Sequence, residues 1–249
     1  MELKGAVAIV TGCTGGLGQR ICRAFAARGT QVAGVYVQSK EEAEAFAREW
    51  SALGPRCLAF QADVTAPDHI QRLVGQVLDT YGQIDILVNN AAFNQLVPFK
   101  DLDGLTLDLW EYMLKANLTS PFLCAKAVAP IMLRQKRGRI VNVASIAGLA
   151  PLGSSIAYAV SKAGLIHLTR CLAVALGPEV SVNAVAPGTM MGTRMTMKLD
   201  PGLVERTTKN AALQRPVERD DVARQIVEFC QSDSTTGQVL VLDSGVVYH

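Results

Sequence analysis

The sequence predicts an α/β protein built on a doubly wound parallel sheet, and three observations point there. Short β-branched runs alternate along the chain with longer segments of helical periodicity. Most of those runs are apolar almost without interruption, as strands covered on both faces must be. A glycine-rich stretch occupies the first strand-to-helix turn, where such sheets bind nucleotides.

In order, the strands fall at residues 6–10 (AVAIV), 31–37, 56–62, 84–89, 139–145, 180–187 and 238–243. Amphipathic stretches lie between them at 16–28, 40–53, 67–81, 105–135, 156–176 and 219–231. Strand, helix and parallel strand in succession give right-handed crossovers. The least regular segment, 188–212, follows the sixth strand and is expected to be a substrate-binding lid over the carboxyl edge of the sheet. No linker, repeat or low-complexity tract divides the chain, which reads as one domain over 1–249.

Composition narrows the function classes. Of the 249 residues 49 % are hydrophobic and 18 % charged, a balance that suits a well-packed globular chain. The net charge of +2 offers no basic footprint for nucleic acid or an anionic membrane. Six cysteines are scattered without a CxxC pair, which reads as reduced thiols in a cytoplasmic protein. The opening MELKGAVAIVTG lacks a signal-peptide pattern, and no run of about 18 apolar residues is expected to span a membrane. Hydrolase chemistry finds no GxSxG elbow, and the histidines are only His69, His167 and His249; no metal-ligand cluster is legible either.

The glycine stretch reads VTGCTGGLGQRI. Its glycines permit a sharp turn and let backbone approach a pyrophosphate, whose charge then faces the free N–H groups and positive dipole end of a helix. Taken alone it reads equally as an ordinary glycine turn. Its spacing, Thr11-Gly12, three residues, Gly16, one residue, Gly18, resembles the TGxxxGxG signature of the short-chain dehydrogenase/reductase family. Further matches run almost to the end of the chain: ADV at 62–64, NNAA at 89–92, PGT at 187–189 and TGQVLVLDSG at 236–245.

That resemblance implies a single Rossmann-type sheet of about seven strands in the order 3-2-1-4-5-6-7. It implies dinucleotide contacts from Gly12, Thr14, Gly15, Gly16, Leu17 and Gly18 in the loop, and from Tyr36, Ser39 and Lys40 after the second strand. Asp63 is the residue that meets the adenine amino group, with Val64 beside it; Asn90 and Ala91 border the cofactor. Pro187, Gly188 and Thr189 flank the nicotinamide carboxamide, with Thr193 as a further contact. Two departures stand out. Ala92 replaces a family glycine, so the loop after the fourth strand is expected to run differently, and Ser244 replaces another.

An acid at the end of the second strand would bind a ribose 2′-hydroxyl and repel a 2′-phosphate. Here the segment reads Tyr36-Val37-Gln38-Ser39-Lys40, with no carboxylate before Glu41, so NADP(H) is preferred and NAD(H) stays open. Against NADP(H), the basic residue that many relatives carry before the second motif glycine is Gly15.

Tyr158 and Lys162 stand four apart and so share a helix face. An ammonium beside a phenol is expected to favour the phenolate and make a usable acid and base. A YxxxK alone reads more readily as a solvated lysine beside a boundary tyrosine; Ser145, at the carboxyl end of the fifth strand, strengthens the functional reading. Ser154 and Ser155 compete for the serine role but fall in the loop beyond that strand. Within the family resemblance Asn117 completes a catalytic set of Ser145, Tyr158, Lys162 and Asn117, holding a water that links the lysine to solvent.

Substrate contacts are expected from Ser145, Phe93, Asn94, Gln95, Leu96, Ala147, Leu149, Pro151 and Leu152, and from the lid methionines Met190, Met191, Met195 and Met197. The implied reaction is hydride transfer between a nicotinamide and a ketone or secondary alcohol. The chain looks most like the 3-oxoacyl-[acyl-carrier-protein] reductase group, in which Lys136 and Arg137 would meet an acidic carrier protein. Val174 stands where those enzymes carry a second base, which keeps a generic carbonyl reductase first. A small carbonyl or alcohol is therefore the expected partner, a carrier-bound acyl chain the next.

An NAD-dependent sugar, steroid or secondary-alcohol dehydrogenase is the alternative within the class. A dinucleotide-sensing binding protein is the alternative outside it, although such proteins lose part of the catalytic set. A methyltransferase would need the missing acid at the second strand. The long, apolar segments 105–135 and 156–176 imply, through the resemblance, a homotetramer, with a dimer next.

Overall fold

The computed structural model describes residues 1–193, 196 and 201–248, except the side chains of 201, 203, 204 and 206. Seven parallel strands form one sheet: β1 (Val7–Thr11), β2 (Gln31–Tyr36), β3 (Cys57–Gln61), β4 (Ile86–Asn89), β5 (Gly138–Val143), β6 (Val180–Pro187) and β7 (Val239–Leu242). Their order is β3-β2-β1-β4-β5-β6-β7, as the sequence predicts. The helices are α1 (Gly16–Ala26), α2 (Lys40–Ser51), α3 (Pro67–Tyr81), α4 (Leu107–Leu114), α5 (Ser120–Gln135), α6 (Ile156–Leu176), α7 (Pro201–Asn210) and α8 (Arg219–Gln231).

The pleat divides the core in two. Ala8 and Val10 of β1 face Ile21 and Phe25 of α1, Trp50 of α2 and Ile226 of α8; Val7 and Ile9 face Leu73 of α3, Val128 of α5 and Leu176 of α6. Every residue of β1, β4 and β5 is buried, as in a sheet covered on both faces, including the polar Arg139 and Asn142 of β5. Buried polar side chains cross the middle in sequence: Asn89 donates to Asn142 (2.9 Å), and Asn142 donates to Thr169 of α6 (2.9 Å). Satisfied in this way, they fix the α6 register against the sheet.

Three expectations change. The stretch 105–135 is not one α-helix: a π-helical turn, Lys115–Thr119, separates α4 from α5, and Ser120 donates its hydroxyl to the Lys115 carbonyl (2.8 Å). Among the described residues, the supposedly irregular 188–212 contains the helix α7. Two helical stretches, Leu107–Gln135 and Ile156–Leu176, are after all long and apolar enough to cross a membrane by length and composition. The fold packs them beside the sheet instead, with 56 % and 39 % of their most apolar windows buried.

Candidate active site

Three of the expected catalytic side chains meet at the carboxyl edge of β5. The strand ends at Val143, and Ser145 then caps a short 3₁₀ turn, Ile146–Gly148, by accepting from Ala147 N (3.2 Å). That turn lies flat on α6: a Cβ on Gly148 would come within 2.6 Å of Lys162 backbone, so only glycine lets it approach. Ser155 caps α6 by accepting from Tyr158 N (3.2 Å), and Ser154 bonds Asn94. The Ser145 hydroxyl, by contrast, is hydrogen-bonded to the side chain of Tyr158.

Tyr158 and Lys162 are 8 % and 2 % exposed. Lys162 Nζ donates to the Val143 carbonyl (2.8 Å) and stands 5.8 Å from the Tyr158 ring centroid. Burial pushes the Tyr158 hydroxyl up to about 12, against the downward pull of the Ser145 hydrogen bond, and lowers Lys162 to about 8. This corrects the sequence expectation, which had the ammonium lowering the phenol. Burial is the largest cause for both groups, since desolvation disfavours a phenolate and an ammonium alike.

Asn117 lies inside the π turn and is fully buried. Its Oδ1 accepts from Phe93 N (2.8 Å), while Nδ2 donates to Phe93 O (2.9 Å) and Ser161 Oγ (3.1 Å). Its side chain therefore clamps the loop after β4 onto α6. Ser161, which sequence reasoning missed, passes the link on by donating to Tyr158 O (2.7 Å).

The same sheet edge carries the glycine loop. Gly12 has φ +69°, and a Cβ there would press on Ala91 Cα at 3.0 Å; one on Gly18 would strike Gly12 O at 2.1 Å. One on Gly16 would meet Gly192 O at 2.5 Å. All four of the loop's glycines are crowded, and Gly15 is the least so, its Cβ position lying 3.2 Å from Gly12 O. Thr11, which sequence reasoning left out of the site, accepts from Asn90 N (2.9 Å) and Ala91 N (3.0 Å); Asn90 Nδ2 returns a bond to Thr11 O (2.8 Å). Thr14 and Leu17 are buried beneath the turn.

The loop fits a dinucleotide's pyrophosphate. α1 begins at Gly16 without a side-chain cap and with no acid in its first turn, so its leading N–H groups suit an anion. Cys13, within the loop, is no nucleophile, since burial pushes its thiol up to about 12.

The remaining expected contacts lie along this edge. Tyr36 is buried at the end of β2; Ser39 and Lys40 are exposed where α2 begins, with Ser39 at φ 65°. Asp63 folds its carboxylate onto Thr65 (2.8 Å to N and to Oγ1), and Val64 is buried. Pro187 ends β6, Gly188 donates its N–H to Leu242 O (2.9 Å), Thr189 O accepts from Val217 N (2.9 Å), and Thr193 bonds Thr196.

Around Tyr158 a small apolar cluster gathers Phe93, Ala147, Leu152 and Met113 with Leu105, Leu109 and Trp110. Phe93 meets Tyr112 edge-on at 4.8 Å. Phe93, Leu152 and Ser145 are therefore well placed for substrate, whereas Gln95 and Met191 are exposed. Met190 is partly buried and packs against the core cluster that includes α1 and α8. Met195 and Met197 lie outside the described residues. The α4 side of the cluster escaped sequence reasoning, although Leu105, Leu109 and Met113 repeat every four residues.

Arg137 is half-exposed and ion-paired. Its Nε and Nη2 reach Asp85 Oδ1 at 2.9 and 2.8 Å, and that carboxylate is fully buried, so the guanidinium is engaged within the chain. Lys136, the α5 C-cap, remains exposed. Among the described residues no group of acids, histidines and cysteines could hold a metal.

The chain matches the short chain dehydrogenase family over residues 6–203. It is 38 % identical over 241 residues to a Streptomyces violaceoruber protein assigned as ketoacyl reductase 2 of the granaticin polyketide synthase, covering 96 % of this chain and 95 % of that one. It is 36 % identical over 246 residues to a 3-oxoacyl-[acyl-carrier-protein] reductase of Synechocystis, covering 98 % of each. The NADPH-dependent 3-quinuclidinone reductase of Rhodotorula rubra shares its fold with a TM-score of 0.91 at 26 % identity, over 98 % of this chain and 92 % of that one. The family match spans well over half of the chain and the relatives nearly all of it: the protein belongs to the short-chain dehydrogenase/reductase family of oxidoreductases.

Proposed function

We infer that the protein interconverts a ketone and a secondary alcohol with NADP(H) in preference to NAD(H), acting as a carbonyl or 3-oxoacyl reductase. The observation that carries this reading is the buried meeting of Ser145, Tyr158 and Lys162 beside a glycine loop suited to a pyrophosphate. A bound nicotinamide dinucleotide supplies or accepts the hydride. The chain's own groups do the rest. Ser145 Oγ offers a hydrogen bond to the substrate oxygen, and Tyr158 gives that oxygen its proton. A phenol pushed up to about 12 keeps its proton at neutral pH, which favours the reducing direction. Lys162, lowered to about 8, stays mostly charged at neutral pH and is the residue to steady the cofactor ribose and replenish the proton. Asn117 holds the Phe93 peptide and Ser161, and so keeps the relay's walls in place.

The preference for NADP(H) rests on the β2 end. No carboxylate occupies residues 36–40, and Ser39 and Lys40 stand exposed where a 2′-phosphate would lie. The apolar cluster at Tyr158 suits an acyl or hydrophobic ketone. A carrier protein finds Lys136 exposed but Arg137 already paired with Asp85, and Val174 on α6 offers no charge, so a free small carbonyl comes first and a carrier-bound chain second. Exposed Phe122 and Leu133 on α5 and Val160 and Val174 on α6, the last 85 % exposed, suit burial between copies in a homotetramer. Five of the six free cysteines are buried, as suits a cytoplasmic enzyme.

A screen of ketones and alcohols against both dinucleotides, followed at the reduced-nicotinamide absorbance band, tests this. Turnover of hydrophobic or 3-oxoacyl ketones with NADPH ahead of NADH is the expected result. Binding of dinucleotide with no turnover of any ketone or alcohol would favour the sensor instead.

A further inference from the structure

The glycine loop lacks a basic side chain of its own, because Gly15 stands where one would serve an NADP(H) phosphate. A cation nonetheless lies over the loop. Arg219, the first residue of α8, sends Nη1 to Gly192 O at 3.0 Å and to Gly16 O at 3.4 Å. The fit is close on both sides: Nη1 is 3.0 Å from where a Gly16 Cβ would sit, and a Cβ on Gly192 would come within 3.1 Å of Nη2. Gly192 has φ +71°, so its conformation also favours glycine.

This is a poor place for a lone cation. Helix N-termini favour negative charge, and Arg219 stands at two of them, the start of α8 and the start of α1. The acids that follow it are engaged elsewhere: Asp220 pairs with Arg20 (3.7 Å) and Asp221 with Arg224 (2.8 Å). None of the ion pairs among the described residues includes Arg219, whose bonds there go to two neutral carbonyls. An anion bound at the α1 N-terminus would turn this arrangement favourable, since guanidinium and helix dipole would face it together.

We propose that Arg219 is the chain's pyrophosphate-binding cation, delivered from α8 to the start of α1 and held in place by the Gly16 and Gly192 carbonyls. The proposal rests on the dinucleotide reading above and names a residue that the glycine signature does not contain.

Calorimetric titration of the wild type, Arg219→Ala and Arg219→Lys with NADPH, NADH and ADP-ribose, at several salt concentrations, tests it. ADP-ribose carries the pyrophosphate without nicotinamide or 2′-phosphate. Arg219→Ala should weaken all three by a similar factor, roughly 10-fold, because one charge-assisted hydrogen bond is lost. Its affinity should also fall less steeply with salt, and Arg219→Lys should recover most of the loss. The ligand-free unfolding midpoint should change little, which separates a binding role from a structural clasp. Should Arg219→Ala be unfolded, the Lys variant and an Arg219→Gln variant carry the same comparison. Wild-type affinity and salt dependence in a folded Ala or Gln variant would overturn the proposal and leave the dinucleotide reading standing. A loss confined to NADPH would overturn it too, by moving the charge to the 2′-phosphate. A wild type that binds none of the three removes the dinucleotide reading itself.

Discussion

The two ends of the site are built by opposite means. At the chemical end, titratable side chains are taken out of water: Tyr158 is pushed up to about 12 and Lys162 down to about 8 by the same burial. At the phosphate end, side chains are left out, so that Gly12, Gly16 and Gly18 let backbone touch backbone. The contrast teaches that mutation should separate chemistry from fold at one end and join them at the other. On the function proposed above, Tyr158 and Lys162 would act from a helix that the fold holds by other contacts, whereas Gly18 is part of the fold itself.

The largest effect on the fold is expected from Gly18→Ala. Its Cβ would lie 2.1 Å from Gly12 O, an overlap that backbone cannot yield without moving the loop. Overpacking of this kind costs roughly 3 kcal/mol, a large share of a domain's stability. Thermal unfolding should therefore drop together with dinucleotide affinity. Gly15→Ala, one turn away with its nearest contact at 3.2 Å rather than 2.1 Å, sharpens the comparison: its melting point should fall clearly less than that of Gly18→Ala. Equal losses in the two variants would break the claim that packing, rather than ligand, dictates these glycines.

Lys162→Met should abolish most turnover while leaving the protein folded. The pH dependence supplies the sign. A lysine lowered to about 8 in the fold from its usual 10.5 holds fewer protons folded than unfolded between those values. Wild-type stability therefore gains from this residue as pH rises from about 8 to about 10, and Lys162→Met, free of a buried charge, loses that gain. Denaturant unfolding at pH 7 and pH 10 should show the variant's relative stability falling as pH rises. For the enzyme, ketone reduction should decline above about pH 8 as the ammonium is lost. A rate rising through that range would contradict the assignment.

The smallest effect is expected at the sheet's far edge. Ser244 sits at φ 61°, a conformation that favours glycine. A left-handed conformation costs a non-glycine residue roughly 1–2 kcal/mol, partly offset by the greater freedom of glycine in the unfolded chain. Ser244→Gly should raise stability by up to about 1 kcal/mol in chemical denaturation without touching kcat.

Much of the fold was legible because the buried strands are largely apolar and the helices carry clear stripes; α3, α6 and α8 begin and end where periodicity places them. The π turn around Asn117 was not, since a helix that widens by one residue keeps its composition. Ser145 was legible from its place at a strand end. The direction of the Tyr158 shift was not: the lysine four residues on shows in the sequence, but the burial that raises the phenol is made by elements distant along the chain. Arg219 escaped for the same reason, being 203 residues from the Gly16 carbonyl it approaches. Close approaches of backbone, as at Gly16 and Gly192, leave only glycines behind, and a glycine does not say what it touches.

The central claim is that a buried phenol donates the proton while a separate loop holds the cofactor. Tyr158→Phe tests it most directly, with kcat for ketone reduction and NADPH affinity measured on the same preparation. The account requires kcat to fall by roughly 10²- to 10⁴-fold, the range of one general acid, with affinity and melting temperature close to wild type. A variant that keeps its turnover, or that loses turnover only in proportion to lost cofactor binding, would contradict it.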